Sequence, residues 1–393
     1  MDVEAILKDE VQQFIVESIH TDINKLILKK SPFTTVSSKQ LAQQIQSRKA
    51  IQKKLPSWFN TSGILYPPKL NLEQSSSEAT AKYKSKLIDK GTLIDLSGGF
   101  GVDDFYFAKT ASKVHYCEIN ADLAPLVRHN LTLLGASNII FHQGNSTSIL
   151  ENIDGIDVIY VDPSRRSDVG NRVFLFEDCE PNLVSNLDYY FKKADKIIVK
   201  AAPMLDIESA VKELGNISEI HIVSLYNECK EILFVLEKEV SKTIELKCVL
   251  LSDERENIFS FEYGKEKELN ISYTDIDKYL YEPDAAILKA GLFKSMVPRF
   301  GVSKIHQHSH LYTSDILLSD FPGRCLKVLS VDKFKHFNKT NIHKKANIVV
   351  RNFPHKPDEL KKKLKINDGG DLFLYFTTDK YNDLVVISCE KTS

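Results

Sequence analysis

The stretch that decides the fold runs from Thr92 to Asp104, with the sequence TLIDLSGGFGVDD. A short apolar run around Asp95 enters a turn that holds Gly98, Gly99 and Gly101, and the chain leaves this turn through the apolar run FYFA. A strand that enters a glycine turn and leaves as a helix is how many α/β sheets build an adenosyl pocket. Glycine permits positive φ there, and its missing Cβ lets a ligand approach the backbone. A purely structural turn is the alternative.

A carboxylate follows at the distance expected for a nucleotide-binding sheet. The second short apolar run, KVHYCE, ends in Glu118, which lies 23 residues after Asp95. A carboxylate about 20 residues past the glycine turn is placed to accept hydrogen bonds from ribose hydroxyls. Asp103 and Asp104 follow the turn directly, where they would repel a pyrophosphate and favour a cationic sulfonium. These features favour S-adenosylmethionine over NAD as the ligand.

Length and composition are typical of a globular protein with more than one domain. The chain has 393 residues, of which 42% are hydrophobic and 27% are charged. No apolar run approaches the roughly 20 residues of a membrane span, and the acidic start MDVEAILKDE lacks the features of a secretory signal. The 6 cysteines are scattered without a C-x-x-C pair. We therefore expect reduced thiols, a cytoplasmic location and no membrane attachment.

Alternating strand and helix patterns follow the glycine turn as far as residue 239. The predicted strands lie at 92–96, 113–118, 138–142, 156–161, 195–201, 218–225 and 231–237. The predicted helices lie at 102–110, 121–135, 175–192 and 206–214. Strands separated by helical stretches imply a parallel, doubly wound sheet. The last two strands are too close in sequence for a helical crossover, so we expect them to pair antiparallel.

The rest of the chain is predicted to form three further regions around this sheet. Helical periods at 3–28 and 37–55 precede a loop rich in proline and serine. Beyond the sheet, the pattern predicts short strands, a helix within Tyr279–Val297 that begins near Pro283, and a basic α+β segment with a helix at 357–365. The predicted domain boundaries are 1–90, 91–239, 240–319 and 320–393.

Polar residues follow the fourth and fifth predicted strands, at the sheet edge where a ligand and its reaction partner meet. Asp162, in the run VDPSRR, could accept a hydrogen bond or a proton from the reaction partner. Arg165 and Arg166 carry fork-shaped donors suited to phosphate. Lys200 ends the fifth strand and is a further catalytic candidate. The alternative for the two arginines is a surface pair that neutralises nearby aspartates.

Basic residues are concentrated towards the two ends of the chain. Between Asp22 and Glu73 there are 9 Lys or Arg residues and no carboxylate, and residues 324–365 hold 13 Lys or Arg residues against 3 acids. Residues 91–323 hold 23 basic and 36 acidic residues. This partition is typical of a protein that binds a nucleic-acid backbone at its flanks, and solvated helix faces are the alternative. The predicted RNA-binding residues are Lys53, Lys54, Arg166, Lys361, Lys362 and Lys365.

The chain resembles class I S-adenosylmethionine-dependent methyltransferases, and more narrowly a bacterial family that adds a ferredoxin-like segment and a THUMP-like C-terminal domain. The motifs that carry the resemblance are DLSGGFGVD (95–103), VDPSRR (161–166), KAAPMLD (200–206), NECKE (227–231) and YLYEPDAAILKAG (279–291). The resemblance implies a Rossmann-like doubly wound α/β sheet, an N-terminal helical region and a C-terminal α+β domain. It also implies methyl transfer from S-adenosylmethionine to a base in tRNA or rRNA, because THUMP domains serve RNA-modifying enzymes.

The predicted site residues lie at the carboxyl edge of this sheet. Those expected to bind the cofactor are Asp95, Ser97, Gly98, Gly99, Gly101, Asp103, Glu118, Asn145 and Asp162. Those expected to act in catalysis are Asp162, Arg165 and Lys200. Amino-group methyltransferases usually carry Asp/Asn-Pro-Pro-aromatic after strand four, whereas Ser164 and Arg165 take the last two positions here. Two alternatives therefore stay open, namely an inactive RNA-binding module with this fold and a small-molecule methyltransferase.

Three histidines alternate in the run HQHSH, at His306, His308 and His310. On a strand they would share one face, and three imidazoles can hold a metal ion. No cysteine or carboxylate lies beside them in the sequence to complete such a site. We therefore predict that the chain carries no metal, and that this run forms a loop or a polar strand face.

Overall fold

The chain forms two compact units, each with its own hydrophobic core. The first unit comprises residues 1–220 and 231–242, and the second comprises residues 221–230 and 243–393. The computed structural model describes residues 3–165, 176–240, 243–253, 255–337 and 345–392. Among these described residues, no helix is both long enough and apolar enough to cross a membrane.

Short helices precede the first strand of the first unit. They are α1 (Val3–Ile6), α2 (Asp9–Glu17), α3 (Ile23–Ile27), α4 (Ser38–Ile51), α5 (Pro56–Phe59), α6 (Lys69–Gln74) and α7 (Glu78–Ser85). The single helical period predicted over 3–28 is divided among three helices. Asp22 starts the third of them, because its carboxylate accepts hydrogen bonds from the backbone N–H groups of Asn24 and Lys25. The predicted loop that follows α4 contains α5 and α6.

Trp58 connects these helices to the glycine turn. Its side chain is fully buried, and its ring centroid lies 4.9 Å from that of Phe100 and 6.0 Å from that of Phe105. Aromatic rings at these separations bury large apolar areas and favour tilted or edge-on packing. The helix that leaves the glycine turn is therefore packed against the N-terminal region of the same unit.

A mainly parallel sheet forms the centre of the first unit. Its strands and those that continue the chain are β1 (Thr92–Asp95), β2 (Lys113–Glu118), β3 (Ile139–Gln143), β4 (Val158–Val161), β5 (Ser164–Arg165), β6 (Cys179–Glu180), β7 (Lys196–Ala201), β8 (Ile217–Leu225) and β9 (Glu228–Glu237). The helices that alternate with them are α8 (Val102–Phe107), α9 (Ala124–Leu133), α10 (Ser146–Glu151), α11 (Leu183–Lys193) and α12 (Ile207–Leu214). This alternation confirms the predicted doubly wound α/β class.

The strand order within the first unit is β9-β7-β4-β1-β2-β3. The strands β1, β2, β3, β4 and β7 pair in parallel, and β9 runs antiparallel to β7. The two-residue connection between β8 and β9 holds Tyr226 and Asn227 at φ 53° and 62°, as a tight primed hairpin turn requires. The order reverses between β1 and β4. Their carboxyl ends therefore open a crevice at a topological switch point, where α/β sheets bind ligands.

The second unit contains an antiparallel pair and a larger mixed sheet. Its strands are β10 (Glu245–Leu251), β11 (Glu256–Glu262), β12 (Tyr279–Pro283), β13 (Ser303–Lys304), β14 (Tyr312–Ser314), β15 (Gly323–Lys333), β16 (Asn347–Val350), β17 (Leu372–Thr378) and β18 (Leu384–Lys391). Its helices are α13 (Ala285–Ala290), α14 (Met296–Phe300) and α15 (Pro357–Leu364). The larger sheet has the order β13-β14-β12-β15-β18-β17-β16, and only β16 and β17 among its described pairs run parallel.

The helix predicted within Tyr279–Val297, beginning near Pro283, is present as α13 from Ala285 to Ala290, whereas the strand before it was not predicted. Residues 279–283 form β12, which lies between β14 and β15 in the sheet, and a helix begins only after Asp284 caps it through the N–H of Ala286. The apolar residues of the run YLYEP suit either element. Pairing with strands on both sides decides between them, and those strands are distant in sequence.

Candidate active site

The glycine turn is built by close backbone and ring contacts. Gly98 donates its N–H to the carbonyl of Cys117 at 2.9 Å, which attaches the turn to β2. A Cβ on Gly98 would lie 2.3 Å from the ring of Tyr116, so no larger residue fits there. Gly101 caps α8 at φ 74°, and a Cβ on it would lie 2.6 Å from Val127. Both glycines are therefore required by the local geometry.

Glu118 is held against this turn by main-chain donors. Its Oε2 accepts the N–H of Gly99 at 2.9 Å, and its Oε1 accepts the N–H of Asn120 at 2.7 Å. The hydroxyl of Tyr116 donates to the carbonyl of Gly99 at 2.7 Å, which fixes the turn from the other side. The half-buried carboxylate is therefore oriented at the carboxyl end of β2.

Asn145 lies next to this carboxylate along the sheet edge. The N–H of Gly144 donates to the carbonyl of Glu118 at 3.0 Å, which joins the ends of β2 and β3. Asn145 is exposed, and its side-chain oxygen caps α10 by accepting the N–H of Ser148 at 3.1 Å. The turn after β3 therefore contributes a polar side chain to the same edge as Glu118.

A group of aspartates lies beneath the turn. Asp95 is buried, and its Oδ1 accepts hydrogen bonds from the backbone N–H and the hydroxyl of Ser97 at 2.7 and 2.8 Å. Burial, with the charges of Asp103 and Asp162, raises the pKa of Asp95 to about 7 despite these hydrogen bonds. Burial and the charges of Asp95 and Asp103 also hold the pKa of Asp104 well above its ordinary value. Burial therefore favours the protonated form of Asp104, and the pKa of Asp95 lies near 7.

Asp103 is the charged member of this group. Burial alone would raise its pKa, but the charges of Lys84 and Lys200 and hydrogen bonds from Ser76 and Tyr160 lower it. The ammonium of Lys84 lies 3.2 Å from Asp103 Oδ1, while Ser76 and Tyr160 donate to Oδ2 at 2.8 and 3.0 Å. Asp103 therefore stays ionised inside the first unit.

Lys84 also holds a second carboxylate, that of Glu231. Its Nζ lies 2.8 and 2.7 Å from the two oxygens of Glu231, and both side chains are almost completely buried. The partners are 147 residues apart in the chain. The two carboxylates offset the charge of the buried ammonium, which would be costly to bury without a partner.

Asp162 connects the ends of β4, β1 and β7. Its backbone N–H donates to the hydroxyl of Ser97 at 2.7 Å, and its carboxylate forms a short ion pair with Lys200. The side chain of Asp162 is 37% exposed and that of Lys200 is 12% exposed, so the carboxylate opens to solvent above a covered ammonium. Burial would lower the pKa of Lys200, but the charges of Asp162, Asp103 and Glu231 together raise it.

The comparisons with known proteins agree with this geometry. A solved structure described as a putative methyltransferase from Porphyromonas gingivalis W83 is 32% identical, with a TM-score of 0.88 and coverage of 100% of both chains. An uncharacterised S-adenosylmethionine-dependent methyltransferase of Mycobacterium tuberculosis is 24% identical over 309 residues, which cover 78% of this chain and 82% of the relative. Residues 279–322 match a ferredoxin-like domain model, and residues 323–391 match a THUMP domain-like model.

The chain belongs to this family of class I methyltransferases. S-adenosylmethionine is the cofactor of the family, and ferredoxin-like and THUMP-like regions follow its catalytic sheet. These findings confirm the fold class, the family and the cofactor predicted from the sequence.

The methyltransferase sheet brings most of the predicted site residues together. Those that converge at its carboxyl edge are Asp95, Ser97, Gly98, Gly99, Gly101, Asp103, Glu118, Asn145, Asp162 and Lys200. The backbone of Arg165 pairs with that of Cys179 in the β5–β6 ladder. The side chain of Arg165 and all of Arg166 lie outside what the structure describes, so their proposed phosphate contacts stay predictions.

The predicted RNA-binding lysines have different surroundings. Lys53 is exposed after α4, whereas the ammonium of Lys54 donates to the carbonyls of Leu72 and Glu73 at 2.6 and 3.1 Å. In the second unit, an open cavity of about 420 Å³ at the end of α15 is lined by Lys361, Lys362, Lys365, Ile366, Asn367 and Asp368. In the described part of the chain, no group of three or more His, Cys, Asp or Glu side chains could hold a metal ion.

Lys84, Glu231 and Ser76 were not predicted as site residues. The motif NECKE, which ends in Glu231, was one local signal for that residue. One further signal was available in the sequence. A single lysine or glutamate within an otherwise apolar, buried element is a candidate for a buried ion pair.

Proposed function

We propose that this methyltransferase transfers a methyl group from S-adenosylmethionine to a base in RNA, with tRNA or rRNA as the substrate. The observation that carries the cofactor site is the carboxylate of Glu118, which two backbone N–H groups fix beside the glycine turn. The observation that supports an RNA substrate is the cavity lined by Lys361, Lys362 and Lys365, within the THUMP-like region.

The residues at the sheet edge fit S-adenosylmethionine. Two carboxylate oxygens suit the two hydroxyls of a ribose, and Glu118 offers them at the end of β2. The carboxylates of Asp103, Asp162 and Glu231, with the partly ionised Asp95, outnumber the ammonium groups of Lys84 and Lys200, so the edge favours a cationic ligand. Asn145 is placed to contact the adenine from the turn after β3.

The cofactor, when bound, supplies an electrophilic methyl group on its sulfonium. The chain itself binds and orients the two reactants, which is the main route to acceleration for such a transfer. Asp162 accepts a hydrogen bond or a proton from the methyl acceptor, and Lys200 holds that carboxylate in place. Asp103, ionised and fixed by Lys84, contributes negative charge close to Asp95.

RNA binding is assigned to lysines of the second unit. Lys362 and Lys365 are exposed, and Lys361 is paired with Asp368 at 2.7 Å. Lys365 ends α15 in a left-handed conformation, with φ 53°, which lets its side chain line the same cavity as the other two. Ammonium groups gathered in this way bind phosphates through charge, without reading sequence.

A labelled methyl donor tests this proposal. The protein is incubated with S-adenosylmethionine carrying a labelled methyl group, together with either total bacterial RNA or a metabolite extract. We expect label in RNA, and its loss with Glu118→Ala. Label in the metabolite fraction alone would favour a small-molecule methyltransferase, and RNA binding without transfer would favour an inactive RNA-binding module.

A further inference from the structure

A buried glutamate in the second unit holds two arginines. The side chain of Glu282, on β12, is 4% exposed, and Arg324, its partner on β15, donates Nη1–H to Oε2 at 3.2 Å. The hydroxyl of Tyr375 donates to the same oxygen at 2.7 Å. Nη2 of Arg351 lies 2.6 Å from Oε1. One carboxylate therefore faces two guanidinium groups, one from β15 and one from the segment after β16.

This cluster carries more positive charge than its own carboxylate balances. A buried carboxylate needs a cationic partner and hydrogen bonds, and Arg324 with Tyr375 supplies both to Oε2 of Glu282. Arg351 adds a second positive charge. The side chains of Arg324 and Arg351 are 39% and 40% exposed, so both guanidinium groups reach solvent with one charge in excess.

Both arginines are held in place before any ligand binds. The backbone N–H of Arg351 donates to the carbonyl of Phe376 at 3.0 Å, and its Nη1 donates to the carbonyl of Val350 at 3.0 Å. The guanidinium of Arg324 lies 5.3 Å from the ring centroid of Phe373. A fixed guanidinium loses little freedom on binding, and its planar fork matches the oxygens of a phosphate.

We propose that Arg324 and Arg351 together bind one phosphate group of the RNA. The site lies in the second unit. It uses none of Lys361, Lys362 and Lys365 and no residue of the cofactor site. It rests on the proposed function, because RNA is taken as the ligand. Two guanidinium groups held by one buried carboxylate would fix the position of a single phosphate, whereas the flexible ammonium groups of lysines bind phosphates in many positions.

Binding of total bacterial tRNA to the full chain, measured between 50 and 200 mM salt, tests this site. We expect Arg351→Gln to weaken binding by about tenfold and to lower the log–log salt slope by about 0.7–0.9, the effect of one lost phosphate contact. Arg351→Lys keeps the charge but not the fork, so it should lose part of the affinity and keep the slope. Arg255→Gln, at an exposed arginine of the same unit, is the matched control.

The outcomes separate this inference from the proposed function. If Arg351→Gln and Arg255→Gln bind tRNA alike, the phosphate site is wrong while RNA methylation stands. If the wild-type chain binds neither tRNA nor rRNA at low salt, both proposals lose their ligand. If the glutamine variant does not fold, as judged by thermal unfolding, Arg351→Lys decides, and wild-type affinity in that variant overturns the site.

Discussion

The backbone N–H of Gly99 donates a hydrogen bond of 2.9 Å to Oε2 of Glu118, across 19 residues of chain. This contact joins the glycine turn to the end of β2. The N–H of Asn120 fixes the other oxygen at 2.7 Å. A ribose would therefore meet acceptors whose positions are already set, which lowers the entropic cost of binding.

Replacing Glu118 should weaken binding of the cofactor product. We expect Glu118→Ala to reduce affinity for S-adenosylhomocysteine by about 1–3 kcal/mol, the cost of losing charged hydrogen bonds. Titration calorimetry measures this directly. Asp122→Ala removes an exposed carboxylate from the following loop and should leave affinity unchanged. Equal affinities in wild type and Glu118→Ala would show that the ribose is not held here.

Ionisation of Asp95 should make the ratio of the affinities for S-adenosylmethionine and S-adenosylhomocysteine depend on pH. Its pKa is raised to about 7, chiefly by burial, and the ionised form favours the cationic sulfonium of S-adenosylmethionine over neutral S-adenosylhomocysteine. Between pH 6 and 8 we expect the affinity ratio of donor to product to rise by up to about tenfold, equivalent to one pKa unit. Asp95→Asn should flatten this dependence. A ratio that stays constant in the wild type would contradict the assignment.

The free energy of unfolding checks the same titration without ligand. The pKa of Asp95 is higher in the folded chain than in the unfolded chain, so between about pH 4 and 7 the folded state binds more protons. Its contribution to stability is therefore present at acid pH and is lost as the pH rises through 7. Denaturant unfolding should show a smaller decline over this range in Asp95→Asn.

Asp162 should affect turnover more than binding. We expect Asp162→Asn to lower the rate of methyl transfer by about 10²–10⁴-fold, the range for a positioned acid or base. Affinity for S-adenosylhomocysteine should fall less, because the backbone N–H that contacts Ser97 remains. Asp188→Asn, at an exposed carboxylate on α11, is the control. Full turnover in Asp162→Asn would exclude the proposed role.

The lysines of the second unit should determine the salt dependence of RNA binding. Replacing Lys361, Lys362 and Lys365 by Glu should weaken RNA binding and lower the log–log salt slope by about 2, or 0.7 per lost contact on single strands. Affinity for S-adenosylhomocysteine should stay the same. The matched controls are glutamate substitutions at exposed lysines elsewhere, namely Lys212, Lys238 and Lys265. If the first set of substitutions leaves RNA affinity at low salt unchanged, these lysines form a solvated face and do not bind RNA.

The sequence predicted the sheet well because its signals are local. The glycine turn, the apolar run ending in Glu118 and the run ending in Asp162 each lie within a few residues, and parallel strands bring their ends to one edge. The same applies to α15, where Pro357 and the lysines that follow predict a helix with a basic end.

Interactions between distant segments were not predictable in this way. No local pattern pairs Lys84 with Glu231, because α7 and β9 are far apart in the sequence and meet only in the folded chain. The segment Tyr279–Pro283 has a pattern that suits either a helix or a strand, and it forms a strand because β14 and β15 pair with it from both sides. The second arginine on Glu282 likewise comes from the segment that follows β16.

Comparison of the modified nucleosides in total RNA, from cells with and without the gene, tests the central claim most directly. We expect one methylated nucleoside to disappear from tRNA or rRNA when the gene is deleted. The wild-type gene should restore it, whereas Glu118→Ala and Asp162→Asn should not. An unchanged set of methylated nucleosides, measured by mass spectrometry in the deletion strain, would contradict methylation of RNA by this protein.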